Sequence, residues 1–181
     1  LHFSAGVYII KDYSENLNLM VDKASVAAQT IKGVLNQHVV YYSKQFDDQT
    51  ARNEELKRDL KLAIKNDEFV AFYQRSDINS GKLVGAEALI RWQTKDNRLI
   101  PPGDFIPLSE KTGLVTDLDM IVFEKVLAFL RRSLDEGIEC VPISVNFSRL
   151  HFANESFLPT LLQTMERYQV PAHLIELELT E

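Results

Sequence analysis

The chain contains three short segments of similar pattern: Ala86-Glu87-Ala88-Leu89-Ile90-Arg91-Trp92, Ser144-Val145-Asn146-Phe147-Ser148 and Glu176-Leu177-Glu178-Leu179-Thr180-Glu181. In each of them apolar and polar side chains alternate, which is typical of a β-strand with two different faces. Segments with helical spacing of apolar residues separate them along the chain. This alternation of strand and helix predicts a parallel α/β sheet or barrel, whose active sites lie at the carboxyl ends of the strands.

Each of the three strands is expected to carry a side chain with a metal-type oxygen near its carboxyl end: Glu87, Asn146 and Glu178. A strand covered by helices on both faces is normally apolar throughout, because an unpaired buried carboxylate is costly. Taken singly, Glu87 could form an ion pair with Arg91, Asn146 could be a hydrogen-bonded turn residue, and Glu178 could be a solvated edge residue. Because the same pattern occurs in all three strands, the sequence favours a site for a hard divalent cation.

Further elements are predicted on either side of these strands. A strand at 69–74 and a turn at 79–82 precede the strand at 83–92, and this short spacing makes the first pair antiparallel. A long helix is expected from Thr116, with Thr116 and Asp119 at capping-box spacing, to Gly137. The remaining predicted elements are a helix at 105–111 ended by Gly113, a strand at 141–148, a helix at 155–168 and a strand at 174–180.

The amino-terminal region has a different pattern. Residues 1–46 contain a predicted strand at 2–10, a helix ending before Gly33 and a strand at 39–42, which together are too small to bury a core of their own. We expect them to be the end of a domain that begins upstream. Residues 47–66 form a charged segment in which Leu56, Leu60 and Ile64 fall four apart, so they predict a connecting helix. Residues 67–181 then form the second domain.

Composition excludes several classes of protein. The chain has 181 residues, of which 45% are hydrophobic and 25% charged, as in an ordinary globular protein. A formal net charge of −6 argues against binding a nucleic acid polymer, which requires clustered Lys and Arg. No apolar stretch reaches the roughly 18 residues of a membrane span, so we expect no membrane contact from this segment. The single cysteine, Cys140, is expected to be a small buried residue, and its lack of a partner favours a cytoplasmic location.

The four histidines are scattered without metal-ligand spacing, and we expect surface or loop positions for His2, His38, His151 and His173.

Five ordered blocks within residues 62–181 resemble the amino-terminal half of an EAL domain, a family of cyclic-di-GMP phosphodiesterases. They are Phe72-Tyr73-Gln74, Gly85 to Trp92, Ile100 to Gly113, Val145 to Ser148 and Glu178 to Glu181. Residues 1–46 resemble, less distinctly, the end of a GGDEF domain. The resemblance implies a tandem GGDEF–EAL protein. Its fold class would be α/β, a partial TIM-type (β/α) barrel with an antiparallel first strand, preceded by an α+β tail and a connecting helix.

The resemblance also implies site residues and an activity. Glu87, Asn146 and Glu178 resemble the family's metal ligands, Glu181 resembles the residue that steadies an active-site loop, and Arg91 and Gln74 resemble substrate contacts. The implied reaction is hydrolysis of cyclic-di-GMP to linear pGpG with two Mg²⁺ or Mn²⁺ ions. The family's remaining metal and catalytic residues would follow Glu181, so the segment alone is expected to be inactive. Either it is a fragment, or its open sheet edge pairs with another copy, as in a homodimer, or with a missing piece.

Arg75 departs from the family pattern, which has proline after the glutamine of the first strand. Two alternatives to an active enzyme therefore remain open: a non-catalytic regulatory module that responds to cyclic-di-GMP, and a barrel in which the matching blocks serve only packing.

Overall fold

The structure is a computed structural model that describes residues 3–32, 38–75 and 83–180. The chain divides into two compact units, residues 1–56 and residues 57–181. The predicted turn at 79–82, Gly33 and Glu181 lie outside the described residues. Among the described helices, none combines the length and apolar character that a bilayer span requires.

The first unit contains two short parallel strands and a helix. Strand β1 (Ala5–Val7) pairs in parallel with β2 (Val39–Tyr41), and helix α1 (Leu17–Thr30) lies between them in sequence. The predicted strand at 2–10 is thus shortened to three residues. Helix α1 starts where the Asn16 side chain accepts a hydrogen bond from the backbone N–H of Asn18, which satisfies one of the free donors at a helix start.

Helix α2 (Lys44–Lys65) crosses from the first unit into the second. The predicted connecting helix is confirmed, although it begins three residues before Asp47. The apolar stripe of this helix is buried in the part that belongs to the second unit, at Leu60 and Ala63. The rest of the helix surface is charged, as expected for a helix with a single packed stripe.

The second unit is built on one five-stranded sheet in the order β3-β4-β6-β7, with β5 paired to β4. Strand β3 is antiparallel to β4, whereas β6 and β7 are parallel to it, as the short first connection predicts. Strand β5 has only two residues and was not predicted. The strands are β3 (Phe69–Arg75), β4 (Ala86–Gln93), β5 (Leu99–Ile100), β6 (Ile143–Ser148) and β7 (Ile175–Thr180).

Three α-helices of this unit follow the predicted order, with α3 starting earlier and α5 later than expected. They are α3 (Pro102–Thr112), α4 (Val115–Asp135) and α5 (Phe157–Tyr168). Helix α3 begins at a proline, which is well placed in a first turn because its missing N–H would have no partner there, and it ends at Gly113 with a φ of 76°. A 3₁₀ turn (Arg149–Ala153) follows β6.

The two faces of the sheet differ as the alternation predicts. Ala88, Ile143, Val145 and Phe147 belong to the buried core with residues of α4 and α5. The opposite face carries Gln74, Glu87, Ser144, Asn146, Glu176 and Glu178. One face therefore stabilises the fold by apolar burial, and the other presents oxygen atoms.

Candidate functional site

Two of the three predicted metal ligands, Glu87 and Asn146, are in direct contact. The expected position of Glu87 near the carboxyl end of its strand is wrong, because it is the second residue of β4. The Asn146 Nδ2 atom donates a hydrogen bond of 2.7 Å to Oε1 of Glu87, joining side chains 59 residues apart in sequence. Both side chains are half-buried. The bond leaves the Asn146 Oδ1 atom and the second Glu87 oxygen as acceptors, and these are the atoms that a hard cation would bind.

Sheet register places Glu178 and Gln74 on the same face. Asn146 is the direct parallel partner of Glu178, and Gln74 is the direct antiparallel partner of Glu87. Directly opposite side chains on antiparallel strands have Cβ atoms roughly 4.5–5.5 Å apart. Gln74 and Glu87 therefore lie in one row across the sheet, and Asn146 and Glu178 lie in the adjacent row. All four were predicted from the sequence as site residues.

Arg91 follows Glu87 on the same face of β4. Among the described side chains, its guanidinium group bonds to the carbonyl oxygen of Ile90 at 2.7 Å and lies 5.6 Å from the ring centre of Phe72. The ion pair with Glu87, which was the ordinary explanation for both residues, is not among the ion pairs of the described part of the chain.

An open cleft of about 370 Å³ borders this face. Its strand residues include Glu87, Arg91, Asn146 and Thr180, and helices α3 and α4 contribute Glu110 and Asp119. The lining therefore has three carboxylates and one cation. An anionic ligand would be repelled by this arrangement unless bound cations offset the carboxylates.

Sequence reasoning missed one polar cluster beside the cleft. Thr116 and Asp119 do not form the predicted capping box, because α4 begins at Val115 and has no side-chain cap. Instead, Asp119 Oδ2 accepts hydrogen bonds from the backbone N–H of Ser148 at 2.8 Å and from Nε2 of His151 at 3.1 Å. Of the surface or loop position expected for His151, the loop is confirmed, since the residue lies in the 3₁₀ turn after β6, whereas the surface is not, since it is only 5% exposed.

Burial raises the pKa of the Asp119 carboxyl above its ordinary value, against the opposing effects of the Ser148 N–H and of His151. The only signals in the sequence were an acidic residue in the first turns of a long helix and a histidine shortly after a strand, and neither indicates a partner. The contact spans 32 residues, so spacing could not have found it.

Cys140 lies before β6 and is half-buried, so the expected buried position is only partly confirmed. It lines a separate apolar cavity with Tyr73 and Phe129.

The described donors fit part of a metal site. Within residues 3–32, 38–75 and 83–180, no three Asp, Glu, His or Cys side chains converge as a metal cluster. Glu87 and Glu178 contribute two carboxylates, and Asn146 contributes one amide oxygen. Oxygen donors of this kind suit Mg²⁺ or Mn²⁺, but six-coordinate ions need more ligands than these three residues supply.

Comparisons with known proteins found relatives in sequence and in structure. The chain is 34% identical over 180 residues to signaling protein YkoW of Bacillus subtilis, covering 98% of this chain and 22% of that protein. It is 36% identical over 129 residues to the bifunctional diguanylate cyclase/cyclic di-GMP phosphodiesterase MucR of Pseudomonas aeruginosa, covering 70% of this chain and 19% of that protein. The chain thus spans less than a quarter of the length of these two relatives.

Among solved structures, the PaMucR phosphodiesterase in complex with c-di-GMP matches with a TM-score of 0.64 and 34% identity, covering 70% of this chain and 52% of that one. The Xanthomonas citri FimX EAL domain in complex with c-diGMP matches with a TM-score of 0.65 at 22% identity, covering 75% of this chain and 52% of that one, which supports the fold alone. The open mixed sheet is therefore part of a TIM-type barrel. The model of the EAL domain matches residues 57–181, and the chain belongs to the EAL domain family.

Proposed function

We propose that this segment forms the metal-binding half of a phosphodiesterase site that hydrolyses cyclic-di-GMP to linear pGpG. The observation that carries the proposal is the contact between Asn146, in the second half of β6, and Glu87, near the start of the parallel strand β4, with Glu178 paired beside Asn146. Oxygen donors held together on separate strands are what a preorganised cation site needs. By the parent protein we mean a longer chain in which the second half of an EAL domain completes this site.

Bound Mg²⁺ or Mn²⁺ ions would polarise the scissile phosphate and lower the pKa of a nucleophilic water. Glu87, Asn146 Oδ1 and Glu178 would hold these ions. We assign Arg91, which lines the same cleft, a contact with a phosphate oxygen, and Gln74, the strand partner of Glu87, a role on the ligand side; both roles are taken from the family resemblance. Glu181 would steady the loop that follows β7, and we assign it this role from the family resemblance.

We propose a cytoplasmic location, because cyclic-di-GMP is a second messenger of the cytoplasm and the chain has only one cysteine. Residues 1–46 are proposed to be the end of a GGDEF-like domain, residues 47–66 the connecting helix and residues 67–181 the EAL half. Dimerisation of the parent protein remains part of this proposal.

The test is incubation of the parent protein with cyclic-di-GMP and saturating Mn²⁺ or Mg²⁺, with the linear product measured by chromatography. Glu87→Ala and Glu178→Ala should lower turnover by more than about 100-fold, because each removes a cation ligand. Glu176→Ala is the matched control, since Glu176 is exposed on the same strand face, one row from Glu178 and beside Ser144. Its turnover should stay within about twofold of wild type.

Absence of linear product from the metal-saturated wild type contradicts the proposal. Binding of the dinucleotide without turnover would favour the regulatory alternative. Absence of any divalent-cation uptake in calorimetry would favour a barrel in which these residues serve only packing.

A further inference from the structure

Asp119 joins helix α4 to the end of strand β6. Its Oδ2 atom is the acceptor for both the Ser148 N–H and the His151 Nε2 atom, at 2.8 and 3.1 Å. Ser148 is the last residue of β6, and His151 lies in the 3₁₀ turn that follows. One carboxylate oxygen thus holds the start and the middle of the turn that leaves the sheet.

This contact is not needed to build the helix. The side chain of Asp119 is 14% exposed, and it caps neither end of α4. Burying a carboxylate is unfavourable compared with an apolar side chain of similar size, even when it is hydrogen-bonded. A polar residue at this position therefore points to a local role in the geometry of the β6 end.

The histidine is held in one orientation. Its ring stacks on Phe157 at 4.2 Å between centres and meets the edge of Phe147 at 5.4 Å. Because Nε2 faces a carboxylate, Nε2 is the nitrogen that carries the proton. A packed ring with a fixed donor gives the turn a rigid anchor on Asp119.

The clamp, by which we mean Asp119 with its hydrogen bonds to Ser148 and His151, lies next to the proposed metal ligands. Ser148 is two residues after Asn146 on the same face of β6, and Asp119 lines the cleft that also contains Glu87, Arg91 and Asn146. A shift of the β6 end would carry the Asn146 side chain with it. The hydrogen bond of 2.7 Å to Glu87 is sensitive to such a shift, because hydrogen bonds weaken steeply with distance and angle.

We propose that Asp119 is a positioning residue: through Ser148 and His151 it holds the end of β6 so that Asn146 and Glu87 keep the spacing a divalent cation requires. This inference rests on the proposed function, because it gives Asn146 the role of a metal ligand. Asp119 acts through its neighbours and does not itself bind the cation or the substrate.

Amide hydrogen exchange tests the clamp without any activity. In the wild-type parent protein, the Ser148 amide should exchange slowly, since its N–H is bonded to a carboxylate. Asp119→Ala removes the acceptor and should speed its exchange by about 10-fold or more. Asp117→Ala, on the same helix turn but exposed, is the matched control and should leave the exchange of Ser148 unchanged.

Metal affinity tests the positioning. Asp119→Ala should weaken Mn²⁺ binding by about 10-fold to 100-fold, the usual effect of removing a group that orients a ligand. With saturating Mn²⁺, kcat should fall more than KM rises. Asp119→Asn keeps an oxygen acceptor for Ser148 and His151, and it should recover Mn²⁺ affinity to within about threefold of wild type.

The outcomes separate this inference from the proposed function. If the parent protein binds Mn²⁺ without hydrolysing cyclic-di-GMP, only the proposed phosphodiesterase activity is contradicted. The positioning role of Asp119 is then tested by comparing the Mn²⁺ affinities of the variants with that of wild type. Mn²⁺ affinity of Asp119→Ala within twofold of wild type overturns the clamp. So does an Asp119→Asn variant that loses as much affinity as Asp119→Ala, because the charge rather than the hydrogen bonds would then be essential.

If Asp119→Ala does not fold, the metal-binding measurement is made on His151→Phe instead. This change keeps an aromatic ring against Phe157 and Phe147 and removes both ring nitrogens, including the Nε2 donor to Asp119. It should weaken Mn²⁺ binding by about 3-fold to 10-fold, and an unchanged affinity overturns the clamp.

Discussion

Asn146 and Glu87, on neighbouring parallel strands, are joined by a hydrogen bond of 2.7 Å from Nδ2 to Oε1. The amide is the donor, so the pair contains one negative charge and one neutral group. This arrangement lets two oxygen-bearing side chains approach closely without a cation, and it leaves the Asn146 carbonyl oxygen available to one.

Asn146→Asp should destabilise the parent protein when no divalent cation is present. The change places two carboxylates at hydrogen-bond distance and removes the donor, which should lower the free energy of unfolding by about 1–3 kcal/mol in EDTA. Lower pH relieves the repulsion because one of the two carboxyls then takes up a proton. Saturating Mn²⁺ should restore more stability to this variant than to wild type. Thermal unfolding measures both effects, and equal stability of variant and wild type in EDTA would contradict the geometry.

Tyr73 should ionise only at high pH. Partial burial raises its pKa to about 12, against the opposing charge of Arg132; its ring stacks on Phe129 at 4.7 Å between centres, and 39% of the residue stays exposed. Because the folded-state pKa lies above the unfolded value of about 10, its contribution to stability is present below that pH and is lost as pH rises toward 12. Tyr73→Phe should remove the part of the stability loss at alkaline pH that comes from ionisation of Tyr73.

Ultraviolet absorbance titration of wild type and Tyr73→Phe gives the ionisation of Tyr73 by difference. Phe129→Ala opens the ring to water and should lower the pKa of Tyr73. A difference titration centred at the ordinary tyrosine value in wild type would show that the ring is not buried.

The strand faces could be predicted because β-structure has a period of two, which Glu87 and Asn146 follow directly in sequence. Short connection length likewise predicted the antiparallel pair of β3 and β4. Helix starts were less well predicted: α3 begins at Pro102, where proline at a first turn was a usable signal, and α2 begins at Lys44 without a strong one. The local sequence pattern therefore predicts the period of a strand or helix and the polarity of its faces better than the residues at which the element begins and ends.

The Asp119 cluster could not be predicted for a different reason. Thr116 and Asp119 have the spacing of a capping box, so the sequence already offered a local partner for Asp119 at the start of the helix. The Thr116 hydroxyl instead bonds to the carbonyl of Gly113, while Asp119 reaches across to β6. A residue with a plausible local partner gives no sequence signal of a distant one, and only the packing of α4 on the sheet brings the two together.

Gly6→Ala should destabilise the first unit. A Cβ at this position would overlap the carbonyl oxygen of Ala24 and lie 2.6 Å from the backbone nitrogen of Ala28, both of which belong to the backbone of α1 and cannot rotate away. Separation of β1 from α1 should lower the stability of this unit by about 1–3 kcal/mol or more. Hydrogen exchange in α1 measures the loss.

Gly103→Ala is the matched control, because a Cβ there meets nothing within 4 Å. Position 103 lies in α3, where alanine is the better helix former, so this variant should be as stable as wild type or slightly more so. Exchange in α1 that is equally slow in Gly6→Ala and Gly103→Ala would show that β1 does not approach α1 so closely.

Asp119→Asn should raise stability at neutral pH while preserving the clamp. Burial raises the pKa of the wild-type carboxyl above its unfolded value, so the folded state holds this proton more tightly. The sign follows from linkage: the wild-type contribution is most favourable at low pH and is lost as pH rises from the unfolded pKa through the folded one. Asparagine has no proton to lose and keeps the acceptor oxygen. The melting temperature of the variant minus that of wild type should therefore grow with pH over this range, whereas Asp117→Asn should show no such growth. A difference that stays constant with pH would mean that burial of Asp119 does not disfavour its charge.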